Sequence, residues 1–285
     1  MKKIILILSL LVSIFSVSFG EPVNIMSFNI RNSKDSTPEI DGKHNWPARK
    51  NKIISLIKEE NFDIFGIQEA FYDQVMFLDK QLPGYGWVGV GRDDGQKIGE
   101  HSNIYYKKDR FSYIAGGTFW LSETPEKVAS VGWDAELTRI ATWARLEEKK
   151  TGKRVLVFNT HFDHIGMLAQ EESAKLLAAK SKEFTDSEKE AVIIMGDLNF
   201  ERTNKRSYNA FKENYRDAKV ITATAAKGEN FTYNGFGKNP VEEIDYVFVN
   251  NKIKVNSYGQ FKMIKDGIYL SDHGPVISEI KLLKQ

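Results

Sequence analysis

The alternation of many short apolar runs with fewer amphipathic stretches constrains the fold of this chain more than any other feature. Runs rich in β-branched and aromatic residues predict strands at Val23–Ile30, Phe62–Gln68, Ser102–Lys107, Tyr113–Leu121, Ile140–Glu147, Arg154–Thr160, Val192–Gly196, Ile244–Val249, Val255–Met263 and Val276–Leu282. Apolar residues at helical spacing predict helices at Trp46–Glu60, Tyr72–Leu82 and Met167–Phe184. The strands outnumber the helices and do not alternate with them regularly, which disfavours a doubly wound sheet. The pattern instead favours an α/β fold with two packed sheets and helices outside.

The size and composition of the chain are consistent with one large domain. Its 285 residues are 41% hydrophobic and 12% aromatic, which is enough to fill a substantial core. No repeat, low-complexity tract or linker rich in Pro, Gly and Ser divides residues 21–285, so we expect a single domain there. The chain has no cysteine, which excludes thiolate metal sites and cysteine nucleophiles.

The first twenty residues have the pattern of a secretory signal peptide. Lys2 and Lys3 precede an apolar run that ends near Phe19, and Ser18 and Gly20 are small residues suited to a cleavage site. We expect cleavage of residues 1–20 and export to the periplasm or the medium. The alternative is an uncleaved membrane anchor, for which the run is rather short. No cysteine follows the run, so the lipoprotein route is excluded.

The charge balance bears on the kind of partner. The full chain has 40 basic and 38 acidic residues, and loss of Lys2 and Lys3 leaves 38 of each. A protein that grips long duplex DNA through many phosphate contacts usually has a basic excess. The neutral mature chain therefore lowers the expectation of such a substrate.

Polar residues recur at the ends of the predicted strands, where active sites on sheet scaffolds are commonly built. They are Asn29, Glu69, Asn159, His161, Asp163, Asp197, Asn199, Asp245, Asp272 and His273. Any single one of them is more often a solvated residue or a helix cap than a catalytic group. Their recurrence at separate strand ends points to a site that binds a metal or a phosphate.

These residues lie in motifs that resemble, in order, those of the endonuclease/exonuclease/phosphatase superfamily. The motifs are FNI, QE, NTHFDH, GDLN, IDYVFV and SDHGPV, and the resemblance extends from Val23 to about Lys281. The segment FWLSETPEKVASVGWDAELTRIATWARL resembles a bacterial branch of that superfamily. The resemblance implies a four-layer α/β sandwich, in which two mixed sheets are flanked by helices as in deoxyribonuclease I. It also implies metal-dependent hydrolysis of a phosphoester.

The resemblance assigns metal binding to Glu69, with Asn29 and Asp272 beside it. These hard oxygen ligands suit Mg²⁺, with Mn²⁺ as a substitute. By the same resemblance, Asp197 orients or deprotonates the attacking water, and Asn199 hydrogen-bonds the phosphoryl oxygens.

Two histidines complete the catalytic set implied by the resemblance. Asp245 corresponds to the carboxylate that holds the catalytic His273, and a carboxylate partner favours the imidazolium form. His161 is the second family histidine, and Glu100 occupies the place of its usual partner. The alternative is that Glu100 is only a loop carboxylate.

Further residues near the motifs are candidates for substrate binding. Arg139 could reach a substrate phosphate with its forked guanidinium, or it could form a structural ion pair. Asn159 and Glu100 are assigned to substrate binding with it. Trp120 is expected near the active face, where it could stack on a substrate or pack a loop against the core, and the same two readings apply to Trp133 and Phe236.

The remaining histidines carry weaker expectations. His44 and His101 match no superfamily motif and are expected on loop surfaces. His164 follows the motif histidine by three residues, and a loop or supporting role is as reasonable as catalysis.

These observations favour an exported Mg²⁺-dependent phosphodiesterase or nuclease acting on nucleic acid or nucleotides. The alternative is a phosphatase or lipid phosphodiesterase for inositol phosphates or sphingomyelin. A binding module without catalysis is disfavoured, because every motif position that can be placed is filled. We expect a monomer whose partner is the phosphoester substrate, with no stable protein partner.

Overall fold

The computed structural model describes residues 21–186, 190–238, 242–261 and 263–284. The predicted signal peptide lies outside the described residues. Within the described ranges, no helix combines the length and apolar character that a membrane crossing requires.

The strands and helices are numbered here in chain order. The strands are β1 (Val23–Asn29), β2 (Ile64–Gln68), β3 (Tyr85–Val88), β4 (Ile104–Lys107), β5 (Phe111–Trp120), β6 (Ile140–Glu148), β7 (Arg154–His161), β8 (Ala191–Asp197), β9 (Arg216–Asp217), β10 (Lys227–Gly228), β11 (Asp245–Val249), β12 (Ile253–Gln260), β13 (Ile264–Lys265), β14 (Ile268–Tyr269) and β15 (Val276–Leu282). The α-helices are α1 (Trp46–Glu60), α2 (Tyr72–Gln81), α3 (Met167–Phe184), α4 (Lys205–Lys212) and α5 (Ala218–Ile221). Short 3₁₀ turns occur at Gly42–His44 and Gly235–Gly237.

Two large mixed sheets form the centre of the protein. One has the strand order β10-β12-β15-β1-β2-β4-β3 and the other has the order β5-β6-β7-β8-β11-β9. Both sheets are mixed: β1 with β2 and β7 with β8 are parallel pairs, whereas β1 with β15 and β8 with β11 are antiparallel. The short strands β13 and β14 form a separate hairpin. The predicted two-sheet α/β sandwich is confirmed.

Alternation of side chains along the strands creates three apolar layers. The layer between the two sheets contains, among others, Ile25, Ile64, Val157, Ile193 and Val247. The first sheet packs its other face on α1 and α2, through residues such as Phe28, Phe65, Ile53 and Val75. The second sheet packs its other face on α3 and α4, through residues such as Phe158, Ile194, Leu177 and Phe211. The strands in the middle of both sheets are therefore apolar on both faces.

The helix predictions at Trp46–Glu60 and Met167–Phe184 are confirmed residue for residue. Helix α1 begins where the Asn45 side chain accepts a hydrogen bond from the Ala48 N–H, with Pro47 in its first turn. It ends at Asn61, which adopts the left-handed conformation with φ of 55°.

The sequence pattern missed the short elements. Strands β9, β10, β13 and β14 contain two residues each, which is too few to show a period of two. Strand β3, with the sequence YGWV, and helices α4 and α5 were also not predicted. The strand predicted to reach Met263 ends at Gln260.

Candidate active site

The candidate active site lies at one end of the layer between the sheets. On several strands, the residues facing this layer are spaced two apart, and the one nearest this end is polar. These residues are Asn29 on β1, Gln68 on β2, His161 on β7, Asp197 on β8 and Asp245 on β11. Strand register places His161 opposite Asp197, and Asp197 opposite Asp245. The alternation that builds the core thus also brings the catalytic candidates together.

Asp245 and His273 form a buried hydrogen-bonded pair. Asp245 Oδ2 lies 2.8 Å from His273 Nδ1, as predicted. Burial opposes the charged imidazolium, but Asp245 and Asp197 outweigh it and raise the pKa of His273 well above its ordinary value. The other ring nitrogen, Nε2, lies 3.6 Å from Asp197 Oδ2. His273 is therefore a cationic donor whose free nitrogen points to the centre of the site.

Asp197 is the carboxylate at that centre. Its Oδ2 accepts from Asn29 Nδ2 at 3.0 Å and lies 3.5 Å from His161 Nε2. Its Oδ1 accepts from the Asn199 N–H at 3.1 Å. Burial, reinforced by Asp245, raises the pKa of Asp197 to about 7. A carboxylate with such a pKa can accept a proton near neutral pH.

Asn199 follows Asp197 by two residues and has a positive φ of 51°. Its Nδ2 donates to the Phe162 carbonyl at 2.9 Å, and its side chain lines the pocket. This anchoring fixes the amide beside Asp197, where the predicted contact with a phosphoryl oxygen can form.

Glu69 and Asp272 supply a donor set that fits a divalent cation. Asn29 Nδ2 donates to Glu69 Oε1 at 2.9 Å, while Asn29 Oδ1 accepts from the Arg31 N–H and keeps a second lone pair. Arg31 approaches both carboxylates, at 4.0 Å from Glu69 and 3.9 Å from Asp272. These distances exceed hydrogen-bond range. Two carboxylates and an amide oxygen so placed suit Mg²⁺ or Mn²⁺.

A second cluster of potential metal ligands has another use. Ligand atoms of Asp197, Asp245 and His273 all lie within 4.8 Å of one another. His273 already uses Nδ1 to bond Asp245, and an imidazole is a poor ligand for a hard cation. This cluster is therefore better suited to proton transfer and phosphate binding.

The hydrogen bond predicted between Glu100 and His161 is not formed. The Glu100 carboxylate lies 3.9 Å from His161 Nδ1 and instead accepts from Arg92 Nη1 at 2.6 Å. Burial, together with Glu69, raises the pKa of Glu100 to about 7. Burial and the cations of Arg139 and Arg92 lower the pKa of His161 well below its ordinary value. His161 is therefore neutral, unlike His273.

Arg139 is buried in the wall of the pocket. Its Nε lies 3.5 Å from Asp163 Oδ2, and its Nη2 lies 3.1 Å from His164 Nδ1. The structural ion pair weighed in the sequence analysis is present, and Arg139 also lines the pocket. His164 links Arg139 to Glu136, whose carboxylate lies 3.2 Å from Nε2.

Two residues predicted to bind substrate do not reach it. Asn159 is fully buried between the sheets, where it accepts from Gln68 Nε2 at 2.6 Å and donates to the Ile67 carbonyl at 2.8 Å. Trp120 is buried and donates its indole N–H to the Arg92 carbonyl at 2.7 Å. The substrate assignment of Asn159 was wrong, because Asn159 joins the sheets. For Trp120 the structure shows the packing alternative, in which it holds the loop that carries Arg92.

The loop histidines differ from the surface positions expected for them. His101 is buried, with Nδ1 3.2 Å from the Ala70 carbonyl. His44 is half-buried and accepts the Tyr269 N–H at 3.1 Å, and its ring stacks on Phe236 at 5.3 Å. Neither histidine lines the pocket. The expectation of loop surface was wrong for the buried His101, whereas His44 keeps partial exposure.

The pocket has a volume of about 500 Å³. It is lined by Arg31, Asn32, Asp35, Glu69, Glu100, Leu137, Arg139, His161, His164, Asp197, Asn199, Tyr233, Glu242, Ile244, Asp272 and His273. Two larger clefts elsewhere on the described surface contain none of the predicted site residues. Arg31 and Tyr233 were missed by the sequence analysis, because they lie in loops outside the motif core.

Comparisons with known proteins agree with this fold. Residues 26–273 match the model of the Endonuclease/Exonuclease/phosphatase family. An endonuclease/exonuclease/phosphatase from Bacteroides vulgatus is 35% identical, with a TM-score of 0.86 over 92% of this chain and 100% of that one. A mannosyl-6-phosphatase from Bacteroides thetaiotaomicron is 37% identical, with a TM-score of 0.83 over 90% and 99%. An uncharacterized protein of Acanthamoeba polyphaga mimivirus is 29% identical over 82% of this chain and 91% of its own length.

Proposed function

The chain belongs to the endonuclease/exonuclease/phosphatase family and is a hydrolase of phosphoester bonds, and on that premise we propose that it is a Mg²⁺-dependent phosphatase of small polyol phosphates. The proposal concerns phosphomonoesters, with sugar phosphates as the representative class. We therefore favour a phosphatase, which was the alternative in the sequence analysis, over the nuclease that the sequence alone favoured.

The observation that carries this choice is the pocket. Its volume of about 500 Å³ is in the range of small-molecule sites, and charged side chains surround it. The equal numbers of acidic and basic residues after position 20 provide no general attraction for a long polyanion. The 37% identical mannosyl-6-phosphatase supports a sugar phosphate as the substrate.

The arrangement suits in-line attack of water on a phosphomonoester. Asp197, with its raised pKa, accepts the proton of the attacking water. His273, held by Asp245, donates a hydrogen bond to a phosphoryl oxygen as negative charge develops there. Asn199 orients the phosphoryl group from the other side of Asp197. A Mg²⁺ ion held by Glu69 and Asp272, with Asn29 beside them, would neutralise charge on the phosphate and the leaving oxygen.

We also propose that the protein is exported. The proposal rests on the charge, apolar run and small residues of positions 1–20. An exported phosphatase would release phosphate and the free alcohol from substrates outside the cytoplasm.

The proposed function is tested with a panel of substrates assayed in Mg²⁺ and in EDTA. The panel contains a hexose 6-phosphate, p-nitrophenyl phosphate, bis(p-nitrophenyl) phosphate, single-stranded DNA and RNA. We expect kcat/KM for the hexose 6-phosphate to exceed that for either polymer or the diester by about 100-fold, since a correct pocket discriminates by several kcal/mol. The Asp197→Asn variant controls for contaminating phosphatases. Preferential cleavage of the diester or of nucleic acid would overturn the proposal.

A further inference from the structure

One wall of the pocket is built from alternating charges. We call Arg92, Glu100, Arg139 and Asp163 the side wall. Arg92 bonds Glu100 at 2.6 Å, and Arg139 pairs with Asp163 at 3.5 Å. Glu100 and Arg139 line the pocket directly, with His161 between them and Asp197. The wall therefore faces the space next to the reacting phosphate.

The side wall is fixed in place by its backbone contacts. Arg92 and Glu100 lie opposite each other at the base of a loop, where the Arg92 N–H bonds the Glu100 carbonyl at 3.1 Å. The indole N–H of Trp120 donates to the Arg92 carbonyl and holds the same loop in place. Asp163 accepts the N–H groups of Leu137 and Gly166 at 3.2 and 2.8 Å. Such a wall is organised before a ligand arrives, which favours specific recognition.

The side wall carries no net charge above neutral pH. Burial opposes the Asp163 anion, but backbone N–H groups lower its pKa to about 2. Glu100, whose pKa is about 7, is ionised at pH 8. Two guanidinium groups then face two carboxylates. A neutral wall gives a second phosphate no net attraction, and the Glu100 carboxylate repels it.

The wall nevertheless has unused hydrogen-bonding atoms. Arg92 Nε and Arg139 Nη1 in the wall, and Nδ1 of the adjacent His161, are among the buried polar atoms without a hydrogen-bond partner in the described part of the chain. Arg139 itself is only 4% exposed. Arg92 contacts Oε2 of Glu100, so Oε1 can accept from a ligand. An unpaired buried donor costs free energy unless a ligand completes it.

We propose that the side wall binds free hydroxyl groups of the leaving alcohol and rejects a second phosphate. A hydroxyl can both donate to a carboxylate such as Glu100 and accept from a guanidinium such as Arg139, whereas a phosphate dianion cannot donate and an apolar group can do neither. The substrates are therefore polyhydroxylated monophosphates, as opposed to bisphosphates or nucleic acid. This inference rests on the proposed function and identifies the hydroxyl groups of the leaving alcohol as the part of the substrate that the site recognises.

The first test varies the substrate on the unmodified mature protein at pH 8 with Mg²⁺. The series contains a hexose 6-phosphate, analogues that each lack one ring hydroxyl, p-nitrophenyl phosphate and the hexose 1,6-bisphosphate. We expect kcat/KM to fall about 10- to 100-fold for at least one deoxy analogue and for the bisphosphate, because a site built to bond a hydroxyl rejects a substrate without it. Equal kcat/KM across the sugar series would overturn the inference.

The second test changes the side wall. Glu100→Gln keeps the shape but removes the negative charge, so the ratio of kcat/KM for bisphosphate over monophosphate should rise about tenfold. Arg139→Lys retains a cation for Asp163 but removes the unpaired Nη1, so the preference for the sugar over its deoxy analogue should shrink about tenfold. Arg206→Lys, on an 84% exposed side chain, is the matched control and should leave both ratios unchanged.

The outcomes separate the two proposals. Cleavage of phosphodiesters with no activity on any monoester would defeat the proposed phosphatase itself. Monoester hydrolysis with both ratios unchanged in Glu100→Gln and Arg139→Lys would defeat the side-wall inference alone. If the wall had a purely structural role, the variants would lower kcat/KM for all substrates equally, and the two ratios would stay constant.

Discussion

Replacement of Asp245 by Asn tests how His273 contributes to catalysis. The amide preserves the shape of the carboxylate but removes the charge that lies 2.8 Å from His273 Nδ1. At an effective dielectric constant of about 20, that charge stabilises the imidazolium by on the order of 6 kcal/mol. This energy corresponds to a loss in rate of at most about four powers of ten. Asp197, 3.6 Å from Nε2, remains to stabilise the cation, so we expect kcat to fall about 10²- to 10³-fold.

The pH profile gives a second readout of the same change. His273 acts in its protonated form, so activity is lost as pH rises through its pKa. Asp245 raises that pKa, and Asp245→Asn must lower it. The alkaline limb of kcat/KM should therefore move to lower pH in the variant. A merely structural carboxylate would leave the limb where it is.

Kinetics and thermal melting are measured for Asp245→Asn, His273→Ala and the double variant. Residues that act as a unit are not additive, so the double variant should lose little more than either single one. Asp217→Asn is the matched control, because Asp217 is a buried carboxylate paired with Arg202 outside the pocket. It should lower Tm with kcat nearly normal. Additive losses, or an Asp245→Asn protein with lowered Tm and normal kcat, would refute the reasoning.

The remaining predictions concern the metal, stability and export. EDTA should abolish activity and Mg²⁺ or Mn²⁺ should restore it, because Glu69 and Asp272 form a hard-oxygen donor set; full turnover after exhaustive chelation would contradict the assignment. Asp163→Asn should destabilise the fold by about 3 kcal/mol in urea unfolding, because it removes the buried charge that pairs with the Arg139 cation and accepts backbone N–H groups. The Asp163 contribution is fully present above pH of about 4 and lost as pH falls towards 2. The difference in urea midpoint between the unmodified protein and Asp163→Asn should therefore shrink over that range, and a constant difference would count against the assignment. Mass spectrometry of protein from the native host should find Glu21 as the first residue, and intact Met1 in the cytosol would defeat the proposed export.

The long elements were predictable because several independent signals coincide in each. In α1, a capping Asn45, a proline in the first turn and apolar residues at helical spacing all indicate the same helix. In β8, an uninterrupted apolar run indicates a strand buried on both faces. The two-residue strands carry no such redundancy, since their pairing depends on the neighbouring strand rather than on their own sequence.

Three of the four side-wall residues were candidates from the sequence, but the contacts among them were not predictable, for a different reason. Arg92 lies in the loop GRDDG, far in sequence from the motifs. Only the tertiary structure shows that Glu100 accepts a hydrogen bond from Arg92 and forms none with His161. Arg31 likewise lies in a loop and approaches Glu69 and Asp272 through space. The strand-end motifs carry the proposed metal and phosphate ligands, whereas loop contacts form the wall proposed to bind the alcohol.

Asn159 shows why a strand-end position alone does not define a catalytic residue. Asn159 and His161 are two residues apart and face the same layer between the sheets. At the level of Asn159 the sheets touch, and a Cβ on Gly66 would come within 2.5 Å of its side chain. At the level of His161, strand β2 of the facing sheet has already ended, because the chain turns away at Glu69 with a φ of 64°. His161 therefore meets the pocket, while the amide below it serves to join the sheets. The level of a residue relative to the end of the opposite sheet, more than its residue type, decides whether it can reach substrate.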